Sequence, residues 1–511
     1  MKRLPLGIQT FSHIIRDDLL YIDKTGYIEM LRNYRYVFLS RPRRFGKSLL
    51  VSTLFEYFSG NTALFTGLNA GSSAGRKFPI IRLDFSAISK SGNDFESFLY
   101  SFLNGIAVEN EIDLTDVAPE NYFYFLVQRL SNKYASQVVI LIDEYDKPII
   151  DHIENPHIAN RNRVILRDFF SVIKSLDEHI EFMFLTGVSK FSKVSIFSGL
   201  NQIVDITLHK NFVNICGITQ EELESNFDEH LLSLRDSVGL ERDELLAKVK
   251  DWYNGYSWDG ISKVYNPFSV LNLFDSHLFT NFWFSSGTPS YLVKLITEKT
   301  SDIRQIQNQP ALSESFNADD LSNINLNGLL FQTGYLTIKS AVTNKGEVYY
   351  ILDFPNYEVK ESLYRSLFSF MSSNSAESVA FNSMMLRNHL ESGRIEEFIE
   401  LLRSVFAQIP YQLHVNEEKY YHSLFIMIMY LSGIEIESEV STNTGRIDGV
   451  IETERVIYIL EFKYNLPPEE GLDQITRKKY TEKVILKGKK ITLVGISFTR
   501  QGISYAVKGL N

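Results

Sequence analysis

The run Tyr36-Val37-Phe38-Leu39-Ser40, continuing as Arg41-Pro42-Arg43-Arg44-Phe45-Gly46-Lys47-Ser48, constrains this chain more than any other stretch. Four apolar, β-forming residues enter a basic loop, and Leu49-Leu50-Val51-Ser52-Thr53-Leu54-Phe55 leaves it with helical spacing. A strand, a loop closing on Gly-Lys-Ser and a helix make the layout of a phosphate-binding loop. Amides at a helix N-terminus attract phosphate oxygens, Lys47 places a point charge on the β/γ-phosphates, and Ser48 offers a hydroxyl to Mg²⁺. Arg43, Arg44, Phe45, Gly46, Lys47, Ser48 and Leu49 are therefore the candidate nucleotide contacts. One position departs from the pattern: Arg41 stands where the full motif has its first glycine.

A second half-signal follows about 95 residues after Ser48. Val138-Val139-Ile140-Leu141-Ile142 is a continuous apolar run, as expected of a fully buried parallel strand, and it ends on Asp143-Glu144. Acids at the C-terminal edge of such a strand lie at the crevice where open α/β sheets bind ligands. In this Walker B layout Asp143 is the candidate Mg²⁺ ligand and Glu144 the residue that polarises the attacking water. The next buried strand, Ile180 to Gly187, ends with Thr186, and Thr186 or Ser189 is placed to sense a γ-phosphate. Pro79 to Phe85 reads as a further strand, and Asp94 to Tyr134 as a long helical region. Before the loop, Tyr21-Ile22-Asp23-Lys24-Thr25 admits either helix capping or a role beside the nucleotide.

A chain of 511 residues has room for roughly three domains. Its 44% apolar and 22% charged content is that of a folded protein. The formal charge of −10 argues against a surface that coats nucleic acid as a whole, but allows a local basic cleft. One cysteine, Cys216, allows no internal disulfide, and no Cys/His cluster has zinc spacing. With no signal-like start and no apolar stretch long enough for a membrane, the expected location is the cytoplasm.

Residues 217–300 turn helical, with Thr219-Gln220-Glu221-Glu222 as a helix-start signal, and read as a lid beside the nucleotide site. A polar boundary near 305–315 opens a middle segment with strands expected at Leu329–Ile338 and Val348–Phe354, then helices. The C-terminal hundred residues carry a different constellation. Strand Ile434 to Val440 leads into Ile447-Asp448-Gly449, and strand Val456 to Leu460 ends on Glu461-Phe462-Lys463. A period of two puts Glu461 and Lys463 on one face, and an antiparallel neighbour can place Asp448 opposite them. Two carboxylates and an ammonium group so placed can chelate Mg²⁺ and activate water, as phosphodiester hydrolysis requires. Glu418, on a helix upstream, is a candidate third carboxylate, and His422 shares its face. Gln474 and Tyr480 are read on a basic helix; from Gly471 to Lys508 nine Lys/Arg face two acids, which suits a phosphate backbone.

Taken together, these motifs resemble a family of bacterial proteins that join an AAA-ATPase-like domain to a C-terminal nuclease-like domain of the PD-(D/E)XK superfamily. Further markers are Thr186 to Ser192, Trp252-Tyr253-Asn254-Gly255-Tyr256, Ser286-Gly287-Thr288-Pro289, Phe354-Pro355-Asn356 and Gly445-Arg446-Ile447-Asp448. The resemblance implies an α/β protein with four parts: a P-loop parallel sheet (1–216), a helical lid (217–300), a middle α+β segment (301–405) and a restriction-endonuclease-like α/β domain (406–511). It implies ATP and Mg²⁺ as cofactors, and recasts Arg41 to Arg44 as a basic loop variant adding charge around the phosphates. Three functions follow as expectations. One is an ATPase controlling a DNA-directed nuclease, with Glu144, Asp448, Glu461 and Lys463 catalytic and Ser48, Asp143, Glu418, Asp448 and Glu461 on metal. Another is a nucleotide-switched module that binds nucleic acid or protein through an inactive nuclease fold. The third is a signalling NTPase with a protein-binding middle segment. A homo-oligomer would admit an arginine finger across subunits, whereas Arg43 and Arg44 are near enough in sequence to act within one chain.

Overall fold

The computed structural model describes the chain except residues 72–74, 89–93, 191–201, 284–289, 301, 317–324, 373–375, 410–416, 443–444, 485–487, 500–501 and 511. The motif segments 191–192, 286–289 and 443–444 lie outside the described residues. Two compact units result: Met1–Ser286 with Gln307–Val359, and Gly287–Ile306 with Lys360–Asn511. Of the segment 301–405, residues 307–359 fall in the first unit and 360–405 in the second.

In the first unit five parallel strands form one sheet: β1 (Tyr36–Ser40), β2 (Ile80–Asp84), β3 (Val138–Asp143), β4 (Ile180–Gly187) and β5 (Val204–Asp205), in the order β2-β3-β4-β1-β5. Strands β1 and β3 are buried along their whole length, as their unbroken apolar runs require. Alternation then decides what each face does. Tyr36, Phe38, Val138, Ile140, Ile142, Met183 and Leu185 pack under the helices Phe95–Glu109, Tyr122–Tyr134 and Pro156–Ser171. Each apolar side chain of that size buried there contributes roughly 1.5–3 kcal/mol relative to exposure. The alternate residues Phe182, Phe184, Thr186, Leu141 and Asp143 occupy the other face, where Phe58 of the helix Lys47–Phe58 stacks on Phe182 at 5.3 Å. Period two therefore delivers Asp143 and Thr186 to the face covered by the helix that Lys47 begins.

The long helical region expected from Asp94 to Tyr134 is made of two helices. The first ends at Glu109, Glu111 takes φ +52°, and the Asp113–Thr115 turn precedes the second. Around 217–276 the helices Gln220–Asn226, Asp228–Val238, Arg242–Tyr253 and Pro267–Ser276 surround a core of Leu223, Phe227, Leu245 and Phe274. Thr219 and Glu222 close a reciprocal capping box at the first of them. Short strands β6 (Ile218–Thr219) and β7 (Val264–Tyr265) pair antiparallel within this region. A three-stranded sheet, order β8-β10-β9, follows: β8 (Gln309–Leu312), β9 (Thr337–Asn344) and β10 (Glu347–Asp353). Leu329 to Thr333, expected as strand, belongs to the helix Leu326–Thr333, because Asn325 caps its start and Gly334 at φ +91° ends it.

The second unit holds the mixed sheet β11 (Ile436–Thr442), β12 (Gly445–Glu452), β13 (Val456–Tyr464), β14 (Lys490–Thr499) and β15 (Gly502–Leu510), in chain order. Only β13 and β14 run parallel, joined through the helix Pro468–Arg477. That helix lies against the strands because Gly471 and Gly495 face one another. A Cβ on Gly495 would sit 2.0 Å from the Pro468 carbonyl oxygen. Gly495→Ala is accordingly expected to lower the unfolding temperature of this unit, by an overpacking cost of about 1–3 kcal/mol, in a thermal melt. Tyr480, expected on the same helix, begins a separate 3₁₀ turn after Lys479 at φ +52°.

Candidate active sites

The Arg41–Ser48 loop leaves β1 and re-enters a helix through Arg44 at φ +68° and Gly46 at φ +86°. Both values lie in the left-handed region, where Gly46 pays no steric penalty. The Lys47 ammonium is buried and donates to the Arg41 and Pro42 carbonyls, each at 2.9 Å. Burial pulls its pKa down, opposed by the charges of Asp143, Glu144 and Asp146. The Asp143 carboxyl neighbours the Ser48 hydroxyl; burial pushes its pKa up, against Ser48 and then Lys47. Glu144, at φ +50°, donates its N–H to the Asp143 carboxylate at 3.1 Å. Lys47, Ser48, Asp143 and Glu144 are thus brought together, and Thr186 lies on the adjoining strand with its buried Oγ1 unpartnered among the described residues.

Other expected contacts take different parts. The Phe45 side chain is buried edge-on against Tyr256 at 4.7 Å and Trp258 at 5.6 Å, so only its backbone is left for a ligand. Arg43 and Arg44 are exposed. Arg41 is not a phosphate-side charge. Its guanidinium has no solvent exposure, donates to the carbonyls of Ser40 (2.9 Å), Thr207 (3.0 Å) and Phe212 (3.0 Å), and lies 3.8 Å from the Trp258 ring centroid. Burial lowers its pKa to about 10, so it keeps its charge at neutral pH. Arginine here ties the end of β1 to the segment after β5. Restoring the glycine of the full motif, Arg41→Gly, is therefore expected to destabilise this unit by on the order of 3 kcal/mol through stranded carbonyls, without tightening nucleotide binding. A thermal melt with and without ATP checks both halves.

Lys24 pairs with Glu222 at 2.6 Å and with the Asn214 carbonyl, while Asp23 accepts from Thr25 and Asn69. The Tyr21–Thr25 segment is therefore structural at those charges. It also borders a largely apolar cavity of about 110 Å³, beside Tyr21, Gly46, Leu49, Ile218 and Phe227.

Sequence reasoning missed two supports. Asp146 accepts from the Val188 and Ser189 amides and so fixes the turn that follows Thr186. Trp283 donates its indole N–H to the Arg43 carbonyl (3.2 Å) and its amide to the Glu358 carboxylate (2.7 Å). Glu358 is fully buried, also accepts from Ser269, and burial raises its pKa from 4.5 to about 7. A carboxyl raised in the fold stays protonated while the unfolded chain ionises. Stability should fall by about 3 kcal/mol as pH rises from 4.5 to 7 and level off above. Glu358→Gln should flatten that window in melts run against pH.

In the second unit, β12 and β13 pair from Glu452↔Ile457 to Gly449↔Leu460. One step beyond, the Asp448 side chain accepts the Phe462 N–H at 2.8 Å, which holds it beside Glu461. Glu461 is buried; its Oε1 accepts from Lys463 (3.1 Å) and from Gln474, while Oε2 has no partner among the described residues. Burial, then the charge of Asp448, pushes the Glu461 carboxyl up, with Lys463 opposing. Period two works as expected: Glu461 and Lys463 share a face, and Phe462 turns to the other, against Phe425 and His422. His422 is buried and held neutral, its pKa lowered to about 4 by burial and then by Arg304.

Glu418 does not complete a cage of three carboxylates. It stands exposed at the first turn of the helix Glu418–Leu431 and is hydrogen bonded by the Tyr464 N–H. Among the described residues no three or more His, Cys, Asp or Glu side chains are close enough to hold a metal ion. The chemistry of the donor set still suits a hard cation: Asp448 and Glu461 offer oxygen ligands, and the Glu461 Oε2 is buried without a proton donor. At the first site, the adjacent Ser48 and Asp143, the buried Lys47 ammonium and the orphaned Thr186 hydroxyl likewise suit a magnesium nucleotide. No described helix is long and apolar enough to cross a membrane.

Comparison with known proteins agrees with this division. Residues 5–197 match the family model described as a predicted AAA-ATPase, and residues 416–506 match that of the PD-(D/E)XK nuclease superfamily. No solved structure matches the chain. A protein of Azotobacter chroococcum mcd 1, described as an uncharacterized protein in the vnfD 5' region, is 37% identical over 520 residues, covering 98% of each chain. The chain belongs to the family that joins a predicted AAA-ATPase-like domain to a C-terminal PD-(D/E)XK nuclease superfamily domain.

Proposed function

We propose that this protein is a Mg²⁺-dependent ATPase that controls a metal-dependent DNA nuclease in the same chain. The observation that carries the nuclease half is the meeting of Asp448, Glu461 and Lys463 where β12 and β13 part, with one buried carboxylate oxygen unclaimed. In this reading Asp448 and Glu461 hold the cation, which supplies charge neutralisation and an acidified water when bound. Lys463 restrains Glu461 and is near enough to orient a nucleophile, while Gln474 fixes the same carboxylate from the adjacent helix. At the other site Lys47 is the phosphate cation, Ser48 and Asp143 the magnesium ligands, Glu144 the water-orienting base and Thr186 the γ-phosphate sensor. The apolar cavity beside Gly46 and Leu49 is the place for the adenine ring.

A second reading keeps the nucleotide switch but makes the C-terminal fold a binding module without cleavage. It is favoured by the lack of a three-ligand metal group among the described residues. The two part in one experiment: ATP hydrolysis and plasmid nicking are followed together, with Mg²⁺ or Mn²⁺, for wild type and Asp448→Ala. The nuclease reading expects hydrolysis in both and nicking in wild type alone. Salt-dependent DNA binding with no nicking under either metal supports the second reading, and nicking unchanged in Asp448→Ala removes the assignment of the site.

A further inference from the structure

His422 does no chemistry in the reading above, yet it is buried at the point where the strands carrying the two carboxylates separate. Its Nε2 lies 3.1 Å from the Asp448 carbonyl oxygen and its Nδ1 lies 3.0 Å from an Arg304 nitrogen. A guanidinium can only donate, so Nδ1 must accept and the ring proton must sit on Nε2, donating to Asp448. Arg304 is itself held by Asp302 through two parallel bonds, each at 2.8 Å. The chain Asp302–Arg304–His422–Asp448 thus ends on the main chain of a proposed metal ligand. Asp448 is gripped from two sides: its side chain accepts the Phe462 N–H across the parting strands, and its carbonyl accepts the imidazole.

We propose that His422 is a positioning residue that, oriented by Arg304, fixes the Asp448 peptide and so the aim of its carboxylate toward the Glu461 side. The proposal rests on the nuclease reading. Its claim is additional: the pair of carboxylates is preorganised by a neutral imidazole that touches neither metal nor DNA. The Phe462 ring packs against the imidazole, with the two ring centroids 4.7 Å apart. Removing a group that orients a metal ligand typically costs ten- to a hundredfold in metal affinity or activity.

The test uses the full chain without nucleotide and Mn²⁺ as probe, with binding followed by electron paramagnetic resonance and plasmid nicking measured in parallel. The Asp448-dependent part of Mn²⁺ binding is isolated by subtracting Asp448→Ala. His422→Leu keeps volume without a donor, and should weaken that binding and slow nicking by about tenfold. His422→Gln restores an N–H donor and a carbonyl acceptor, and should recover most of both. Arg304→Met, which leaves the imidazole in place, should fall between them and serves if His422→Leu does not fold. Wild-type values in His422→Leu or Arg304→Met, or a Gln variant no better than Leu, would overturn the proposal while leaving the nuclease reading intact. A wild-type chain with neither Asp448-dependent Mn²⁺ binding nor nicking would remove the reading and the proposal with it.

Discussion

Glu461→Gln is expected to slow DNA nicking by a hundredfold or more while leaving the unfolding temperature of the C-terminal unit unchanged or raised. The amide oxygen can still accept from Lys463 and Gln474, so packing and the local hydrogen bonds survive. What disappears is the charge. A cation at such a site lowers the barrier by several kcal/mol, and about 3 kcal/mol is a hundredfold in rate. Stability moves the other way because the carboxylate is buried beside Asp448, and both burial and that charge oppose its ionisation. Opposite signs in nicking assays and thermal melts would identify a functional carboxylate; a parallel loss of both would mark Glu461 as a structural residue.

Lys47→Ala is expected to abolish ATP binding and to lower the stability of the nucleotide-free protein. The ammonium is buried with two loop carbonyls as its hydrogen-bond acceptors, and the neighbouring carboxylates only partly offset its desolvation. Its removal strands the Arg41 and Pro42 carbonyls and takes the counter-charge from buried Asp143 and Asp146, a cost on the order of 3 kcal/mol in the absence of phosphate. In wild type, ATP at a hundred times its dissociation constant should stabilise the first unit by about 2.7 kcal/mol. That ligand-dependent rise in unfolding temperature should vanish in Lys47→Ala. A rise of the same size in the variant would mean that the nucleotide, if bound, does not rely on this loop.

Much of the frame was legible because burial leaves a plain signature. The unbroken apolar runs of β1 and β3 could be little else than central parallel strands, and the acids at the end of β3 inherit their position from that placement. Period two was enough to put Glu461 and Lys463 on one face and Asp448 across from them, since the register of β12 on β13 follows from which residues must be buried. The role of Arg41 was not legible. Its partners Thr207 and Phe212 lie 166 and 171 positions away, and no local pattern announces a guanidinium that bonds only to carbonyls. Lys24 was ambiguous for the same reason, its partner Glu222 being 198 positions distant. Leu329 to Thr333 misled because a short apolar run fits a strand or a buried helix equally well, and the Asn325 cap decides between them. His422 had a face but no meaning in sequence, because Arg304 and the Asp448 carbonyl come from segments 118 and 26 positions away.

The central claim, that nucleotide at the Lys47 site governs cleavage at the Asp448 site, is tested most directly by the rate of plasmid nicking measured against ATP concentration at fixed Mg²⁺. For wild type the rate should change saturably with ATP; for Lys47→Ala it should stay at one ATP-independent value; for Asp448→Ala it should be absent throughout. Nicking by wild type that is indifferent to ATP, or an ATP response that persists in Lys47→Ala, would contradict the account.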